Sequence, residues 1–203
     1  MRKLISAMKV SLDLKFQGPG DYADWVDGWS EDYGLGEEID ACLLGGQMYR
    51  GYERYWSAMR SNPAGASPMT GSVPTRAELA WSERIPSLPH YVLSRSMTEA
   101  AWPNTHFLHS FGDIAALKET AGKDIYLMGG GRMVRSLTEA GLIDELRLIT
   151  YPVIAGGPND LFGAGSNRYG ARLIASRQTP GGLVRTDYRI LGRIETPAVA
   201  AAE

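Results

Sequence analysis

The sequence has few of the residues that build disulfides, metal clusters or contacts with nucleic acid. Its 203 residues include one cysteine, Cys42, which excludes an intramolecular disulfide and a multi-cysteine metal site. The three histidines lack carboxylate or cysteine partners at metal-ligand spacing, so we predict no metal site. Lysine and arginine number 21 against 23 acidic residues, for a net charge of −2. This balance favours neither a nucleic-acid partner nor an anionic membrane.

Long apolar runs are also missing. No stretch reaches the roughly 18 apolar residues of a membrane-spanning helix. Lys9 interrupts the N-terminal apolar run before the roughly 7 residues of a secretory signal core. We therefore expect a mature, cytoplasmic protein. An apolar content of 44% suffices for one sizeable core, and we expect a single domain over residues 1–195 and a flexible tail over residues 196–203.

Glycine and proline divide the rest of the chain into alternating strand and helix patterns. Trp25 and Trp29 have helical spacing within an acidic segment that several glycines interrupt. The apolar patterns predict strands over residues 2–12, 39–44, 90–94, 105–108, 124–128 and 144–154, helices over 47–59, 75–84, 112–121 and up to 141, and a closing hairpin of 172–178 with 183–191. This order favours an α/β fold, a mainly parallel sheet with an antiparallel edge.

Two glycine turns share one design. Each follows a short buried strand and opens a helix: Gly45-Gly46 leads into Gln47, and Gly129-Gly130-Gly131 leads into Arg132. Glycine lets a ligand approach the backbone closely, and the first amides of a helix lack partners within the helix. Such a turn is suited to bind phosphate. The simpler alternative, favoured for a single Gly-Gly pair, is that the glycines only end strands and turn corners.

The turns match neither common nucleotide motif. Val134 stands where the third glycine of Gly-x-Gly-x-x-Gly belongs, and no Gly-Lys-Ser/Thr sequence occurs. Two phosphate-binding turns at two strand ends indicate one long ligand with several phosphates, such as a dinucleotide.

Four segments, in order along the chain, form a recognisable set that spans about residues 2–165. They are the first strand with Ser11-Leu12-Asp13, Leu43-Leu44-Gly45-Gly46-Gln47-Met48-Tyr49, Val92-Leu93-Ser94-Arg95, and the stretch from Tyr126 through Gly141-Leu142-Ile143-Asp144-Glu145-Leu146 to Gly157. In these segments the chain resembles the dihydrofolate reductase-like superfamily, specifically the branch related to the reductase domain of bacterial riboflavin biosynthesis. The resemblance implies an eight-stranded, mainly parallel sheet flanked by helices, with a C-terminal antiparallel hairpin and NADPH bound across the strand ends.

The resemblance also implies roles for particular residues. Three groups would meet the pyrophosphate, the adenosine 2′-phosphate and the nicotinamide. The first group is Gly129, Gly130, Gly131, Arg132, Met133 and Val134; the second is Gly45, Gly46, Gln47, Met48, Ser94 and Arg95; the third is Ser6 and Ala7 with Phe16, Gln17 and Gly18 at the ring. In dihydrofolate reductases the first two glycines of the triple join through a cis peptide, which implies a cis bond between Gly129 and Gly130.

The sequence departs from the family at two positions. Gly46 replaces an arginine that binds the 2′-phosphate, so Arg95 would have to supply that contact for NADPH to be preferred over NADH. Leu14 replaces a glycine after Asp13, and the loop that follows is expected to run differently.

Hydride transfer also needs a proton donor, which in dihydrofolate reductase is a carboxylic acid on the helix after the first strand. Asp32 is nearest by spacing, and Asp24 beside Trp25 is the stronger local motif; Asp13 is a third candidate. Asp21, Asp27 and Glu31 occupy the same stretch. A solvated acidic face is the alternative for each of them, and a turn-forming role is the alternative for Asp13.

Two functions of different classes follow. The first is an NADPH-dependent oxidoreductase that acts on a small flat heterocycle, pterin-like or riboflavin-precursor-like, akin to dihydrofolate reductase or 5-amino-6-(5-phosphoribosylamino)uracil reductase. The second is a dinucleotide- or flavin-binding module without turnover. The zinc deaminase motif, His-x-Glu with Pro-Cys-x-x-Cys, is absent from this sequence, so we expect no bifunctional riboflavin enzyme. A homodimer is expected by analogy with the branch.

Overall fold

The computed structural model describes residues 1–18, 23–29, 33–163 and 167–195. Strands and helices alternate through most of this range, and a hairpin closes it. The strands are β1 (Leu4–Val10), β2 (Ile39–Gly45), β3 (His90–Leu93), β4 (Thr105–Leu108), β5 (Asp124–Leu127), β6 (Glu145–Thr150), β7 (Tyr169–Gln178) and β8 (Val184–Arg193); the helices are α1 (Gly46–Ser61), α2 (Arg76–Arg84), α3 (Phe111–Glu119) and α4 (Gly131–Glu139).

The strands form one eight-stranded sheet in the order β4-β3-β2-β5-β1-β6-β8-β7. Strands β1 to β6 are parallel, and β8 runs antiparallel to both β6 and β7. This confirms the predicted fold class. The carboxyl ends of β2, β5 and β1 lie side by side, because these three strands are neighbours in the sheet.

Helices cover both faces of the sheet, as apolar strands of this kind require. One core cluster joins β1 and β2 to α1 and α2 through Ala7, Leu44, Trp56 and Trp81. The other joins the opposite faces of the same strands to α3 and α4 through residues such as Leu43, Leu117 and Val134. Cys42 is fully buried in the first cluster, as expected for a core residue, and burial raises the pKa of its thiol.

One local prediction was wrong. The strand predicted over residues 144–154 ends at Thr150, since Pro152 has no amide to donate to a ladder, and Gly156 and Gly157 bend the chain with φ of 65° and 73°. Trp25 and Trp29 do not lie on a helix, because residues 23–29 form turns and irregular backbone. The predicted tail over residues 196–203 lies outside the described residues. No helix in the described ranges has the length and apolar character needed to cross a membrane.

A buried ion pair supports the sheet beside this irregular segment. Arg185 on β8 donates from Nε and Nη2 to the two carboxylate oxygens of Asp187, at 2.8 and 2.7 Å. Both side chains are 6% exposed. The guanidinium also lies against Gly34, where an added Cβ would sit 2.6 Å from Nη1.

Replacing Asp187 by alanine should lower the free energy of unfolding by about 3–5 kcal/mol, because it leaves the buried Arg185 charge without its partner. The matched control replaces both members, Arg185→Met with Asp187→Leu, and should cost far less. Urea unfolding followed by circular dichroism measures both. A loss below about 1 kcal/mol for Asp187→Ala would show that solvent compensates the arginine.

Candidate functional site

A cavity of about 410 Å³ opens on the α1 face of the sheet, at the carboxyl ends of β1 and β5. We call it the main cavity. Aromatic rings and methionines form most of its wall, with backbone from one glycine turn at one end. It is lined by Ala7, Met8, Lys9, Phe16, Gln17, Ala23, Trp29, Tyr33, Gln47, Met48, Gly51, Tyr52, Tyr55, Trp56, Met69, Trp81, Tyr126, Met128, Gly129 and Gly130. Its size and apolar wall suit a flat heterocyclic ligand.

The four helices differ in how their N-termini are capped. Thr75 and Ser110 form complete capping boxes at the starts of α2 and α3. Helices α1 and α4 instead have Gly45 and Gly130 at the N-cap, which provide no side-chain acceptor. No described side chain accepts a hydrogen bond from the first amides of these two helices. The two glycine turns therefore present free donors and the positive ends of two helix dipoles at neighbouring strand ends.

The second glycine turn is open at Gly130 and covered at Gly131. An added Cβ at Gly130 would meet nothing within 4 Å, and the residue is exposed. At Gly131 an added Cβ would lie 2.3 Å from Cε1 of Phe16, so the aromatic ring packs directly on this glycine. Helix α4 begins with regular backbone hydrogen bonds, because the amides of Met133 and Val134 donate to the Gly130 carbonyl at 2.9 and 3.2 Å. Gly130 is the position of this turn that a ligand can approach without displacing a side chain.

The cis peptide expected between Gly129 and Gly130 is wrong: the described residues contain no cis peptide bond. Gly130 has φ −67° and ψ 160°, an extended conformation that starts the helix with a trans bond. The trans form is the lower in energy for a non-proline peptide.

The first glycine turn packs against the end of β3. An added Cβ at Gly46 would lie 2.8 Å from the Cβ and Oγ of Ser94. Ser94 thus occupies the space where the family's arginine side chain would begin. Arg95 follows it and is exposed. Nη2 of Arg132 donates to Oε1 of Gln47 at 3.4 Å, and this contact bridges the starts of α1 and α4.

The predicted cofactor residues fall into two sets. The main cavity brings together seven of them: Ala7, Phe16, Gln17, Gln47, Met48, Gly129 and Gly130. The other ten predicted residues do not line it. Ser6 is fully buried, and its hydroxyl has no hydrogen-bond partner among the described residues. The other even positions of β1, Leu4, Met8 and Val10, belong to the core cluster on the α3 and α4 face, so the Ser6 side chain lies on that face of the sheet.

The three candidates for the proton donor, Asp13, Asp24 and Asp32, differ in where they lie. Asp13 does not line the cavity, and its carboxylate accepts from the Ser11 hydroxyl at 2.6 Å and from the amides of Ala155 and Gly156 at 3.0 and 2.8 Å. These bonds lower its pKa from 3.8 to about 2, with the Ser11 bond the largest cause. The geometry favours the turn-forming role for Asp13. Asp32, like Asp21 and Glu31, lies outside the described residues.

Asp24 lies in a second cavity of about 350 Å³, which we call the side cavity. Asp27, Trp25 and Thr70 also line it, and Ala23, Trp29 and Met69 line both cavities. The carboxylate of Asp27 accepts from the Tyr151 hydroxyl at 3.0 Å. The acidic side cavity and the apolar main cavity are therefore adjacent, with Ala23, Trp29 and Met69 at their shared boundary.

The sequence analysis did not identify Lys9, Tyr52, Tyr55 or Trp56 as site residues. The three aromatics are buried in the core and also form the α1 wall of the main cavity. Lys9 is 4% exposed, and its Nζ donates to the Gly28 carbonyl at 2.5 Å. The sequence contained an indication of this role. Lys9 shares one face of an apolar strand with Ile5 and Ala7, and a charged side chain at such a position is costly to bury unless it has a partner.

Trp29 is held in place by a buried carboxylate. Oε1 of Glu78 accepts from the Trp29 amide at 2.9 Å, while Oε2 accepts from the amide and hydroxyl of Thr75. Glu78 is 2% exposed. The capping box of α2 thus fixes the wall between the two cavities.

The sequence matches a known protein family and a protein of similar length. The chain matches the RibD C-terminal domain family over residues 2–184. It is similar to the protein YyaP of Bacillus subtilis (strain 168), with 28% identity over 194 residues that cover 92% of this chain and 94% of YyaP.

Two solved structures share the fold. One is a Shewanella sp. PV-4 protein named for riboflavin biosynthesis, with a TM-score of 0.65, 20% identity, and 93% of this chain and 98% of that chain covered. The other is the Thermotoga maritima diaminohydroxyphosphoribosylaminopyrimidine deaminase/5-amino-6-(5-phosphoribosylamino)uracil reductase, with a TM-score of 0.57 and 12% identity. The match covers 93% of this chain and 56% of the Thermotoga protein.

The hydrogen bonds of Asp13 predict a pH-dependent contribution to stability. Because its pKa is lowered in the folded state, the contribution is present above the usual value of 3.8 and is lost as the pH falls towards 2. In urea titrations at neutral pH, Asp13→Asn should unfold at a lower midpoint than the wild type, and the difference should shrink through this acid range. The exposed Glu99→Gln variant, with the same change in charge, should show no such trend. A pH-independent difference would contradict the assignment.

Proposed function

Because the chain belongs to the RibD C-terminal domain family, we propose that it is a reductase that transfers a hydride from NADPH to a small flat heterocycle. The observation that carries this proposal is the pair of helix N-termini without side-chain caps beside an aromatic cavity. The printed name of the Thermotoga neighbour, which includes a uracil derivative reductase, supports a pyrimidine- or pterin-like ring in the substrate.

The residues present fit a dinucleotide phosphate. Gly130 is open to a ligand, and the free amides at the start of α4 supply donors and a positive dipole end for the pyrophosphate. Arg132 lies between the two glycine turns through its contact with Gln47, and Arg95 is exposed at the end of β3. We propose that these two cations bind the 2′-phosphate in place of the arginine that Gly46 replaces, which would favour NADPH over NADH.

The protein's part in the reaction is to position the cofactor and the substrate and to exclude water. NADPH, when bound, would supply the hydride. The rings of Trp29, Trp56 and Trp81 form a surface on which a flat heterocycle can stack, and burial of that ring removes water from the reacting face. We propose Asp24, which lines the side cavity together with Trp29, as the proton donor, with Asp32 as the second candidate.

One observation favours the second candidate function, a binding module without turnover. Asp24 lies in the side cavity and not in the main cavity. The two functions separate in one experiment, substrate-dependent oxidation of NADPH across a panel of pterins and aminouracils. Oxidation with any of them supports the reductase, whereas cofactor binding without oxidation supports the module.

Gly130→Ala tests the cofactor site directly. The position has φ −67° and open surroundings, so alanine should fold without strain. A methyl group there blocks close approach of a phosphate, and we expect NADPH affinity, measured by isothermal titration calorimetry, to fall by about tenfold or more. Gly181→Ala, in the turn between β7 and β8, is the matched control and should bind as the wild type does. Unchanged affinity in Gly130→Ala, or no NADPH binding by the wild type, would sink the cofactor assignment.

We also propose that the protein is a homodimer joined along β7. This ten-residue strand forms one edge of the sheet. Its hairpin exposes large apolar side chains: Leu173 is 54% exposed, Ile174 47%, Leu191 55% and Ile194 44%. A long apolar edge of this kind is prone to associate unless another surface covers it.

Light scattering after size-exclusion chromatography should therefore give twice the chain mass. Leu173→Lys combined with Leu191→Lys should yield a monomer, because the added charges would be buried in the interface. Val73→Lys, at a loop position that is 77% exposed, is the control and should leave the dimer intact. A monomeric wild type would overturn the proposal.

A further inference from the structure

The two ends of the site carry opposite charge. At the cofactor end lie the N-termini of α1 and α4, with Arg132 beside them. At the other end, the side cavity is lined by Asp24 and Asp27, and no cation of the described residues lines it. One end is therefore suited to phosphate, whereas the other repels it.

Two described segments at this end lack cations. Residues 23–29, which contribute to both cavities, contain Asp24 and Asp27 and no lysine, arginine or histidine. Residues 61–75, which supply Met69, Thr70 and Ser72, contain no charged residue. A phosphate at this end would thus find no positively charged partner in either segment.

Three buried cations, which contact Gly28, Tyr33 and Gly34, already have hydrogen-bond or ion-pair partners. Lys9 is the one charged side chain of the described residues that lines the main cavity, and its ammonium group donates to Gly28. Arg147 pairs with Glu38 and donates to the Tyr33 carbonyl, and Arg185 pairs with Asp187. Neither arginine is among the described residues that line the main cavity or the side cavity. Freeing any of them for a substrate would break a buried hydrogen bond or ion pair.

We infer that the substrate of this site is a heterocycle without a phosphate group, either neutral or carrying an amine. This inference rests on the proposed function and narrows its substrate class. It separates the protein from a reductase of phosphoribosylated pyrimidines, because such a substrate would place its phosphate at the acidic end or compete for the glycine turns with the cofactor.

Riboflavin and its 5′-phosphate, FMN, form a matched pair of probes that differ only in the phosphate. Their binding to the full chain is followed by quenching of flavin fluorescence in saturating NADP⁺, which occupies the glycine turns. We expect riboflavin to bind at least about tenfold more tightly than FMN. This preference should shrink in the double variant Asp24→Asn with Asp27→Asn. Glu139→Gln, an exposed charge change on α4, is the control and should retain it.

Equal or tighter binding of FMN would overturn the inference, and so would the absence of riboflavin binding. Failure of the proposed function gives a different result: NADP⁺ itself does not bind in calorimetry. When NADP⁺ binds and FMN is preferred, only the substrate class is wrong.

Discussion

Helices α1 and α4 start directly after the neighbouring strands β2 and β5, and glycine at each N-cap leaves their first amides without a side-chain acceptor. Free amides at a helix start are costly unless water or a ligand binds them. The other two α-helices use complete capping boxes. The two uncapped starts bracket one end of the main cavity, so a single ligand with several phosphates can satisfy both.

The rest of the site follows from this placement. The parallel sheet brings the carboxyl ends of β2, β5 and β1 together, and α1 covers the cavity with Tyr52, Tyr55 and Trp56. In the proposed function, the phosphates bind at one end of the site and the reacting heterocycle binds at the other. There Glu78 fixes Trp29, and the acidic groups of the side cavity lie behind it. The two ends of the site thus differ in charge, with hydrogen-bond donors at one end and carboxylates at the other.

Much of this arrangement was predictable, for identifiable reasons. Strands buried between two layers of helices read as apolar runs, and glycine-rich strand ends marked the two turns, so the fold and the turn at Gly130 could be found from the sequence. The contacts that side chains make around the two turns could not be predicted from the sequence. The contact of Phe16 with Gly131 and the place of Ser94 beside Gly46 depend on packing between distant segments. Lys9 was overlooked because a charged residue interrupts the apolar pattern by which a strand is identified. In the structure it lies in the wall of the main cavity.

The most direct test of the account is a crystal structure of the protein with NADP⁺. We expect the diphosphate within hydrogen-bond distance of the backbone amides that begin α4, next to Gly130, and the 2′-phosphate near Arg132 or Arg95. The nicotinamide ring should enter the main cavity between Ala7 and Phe16. A nucleotide bound elsewhere, with the α4 amides contacting only the Phe16 ring, would contradict the central claim.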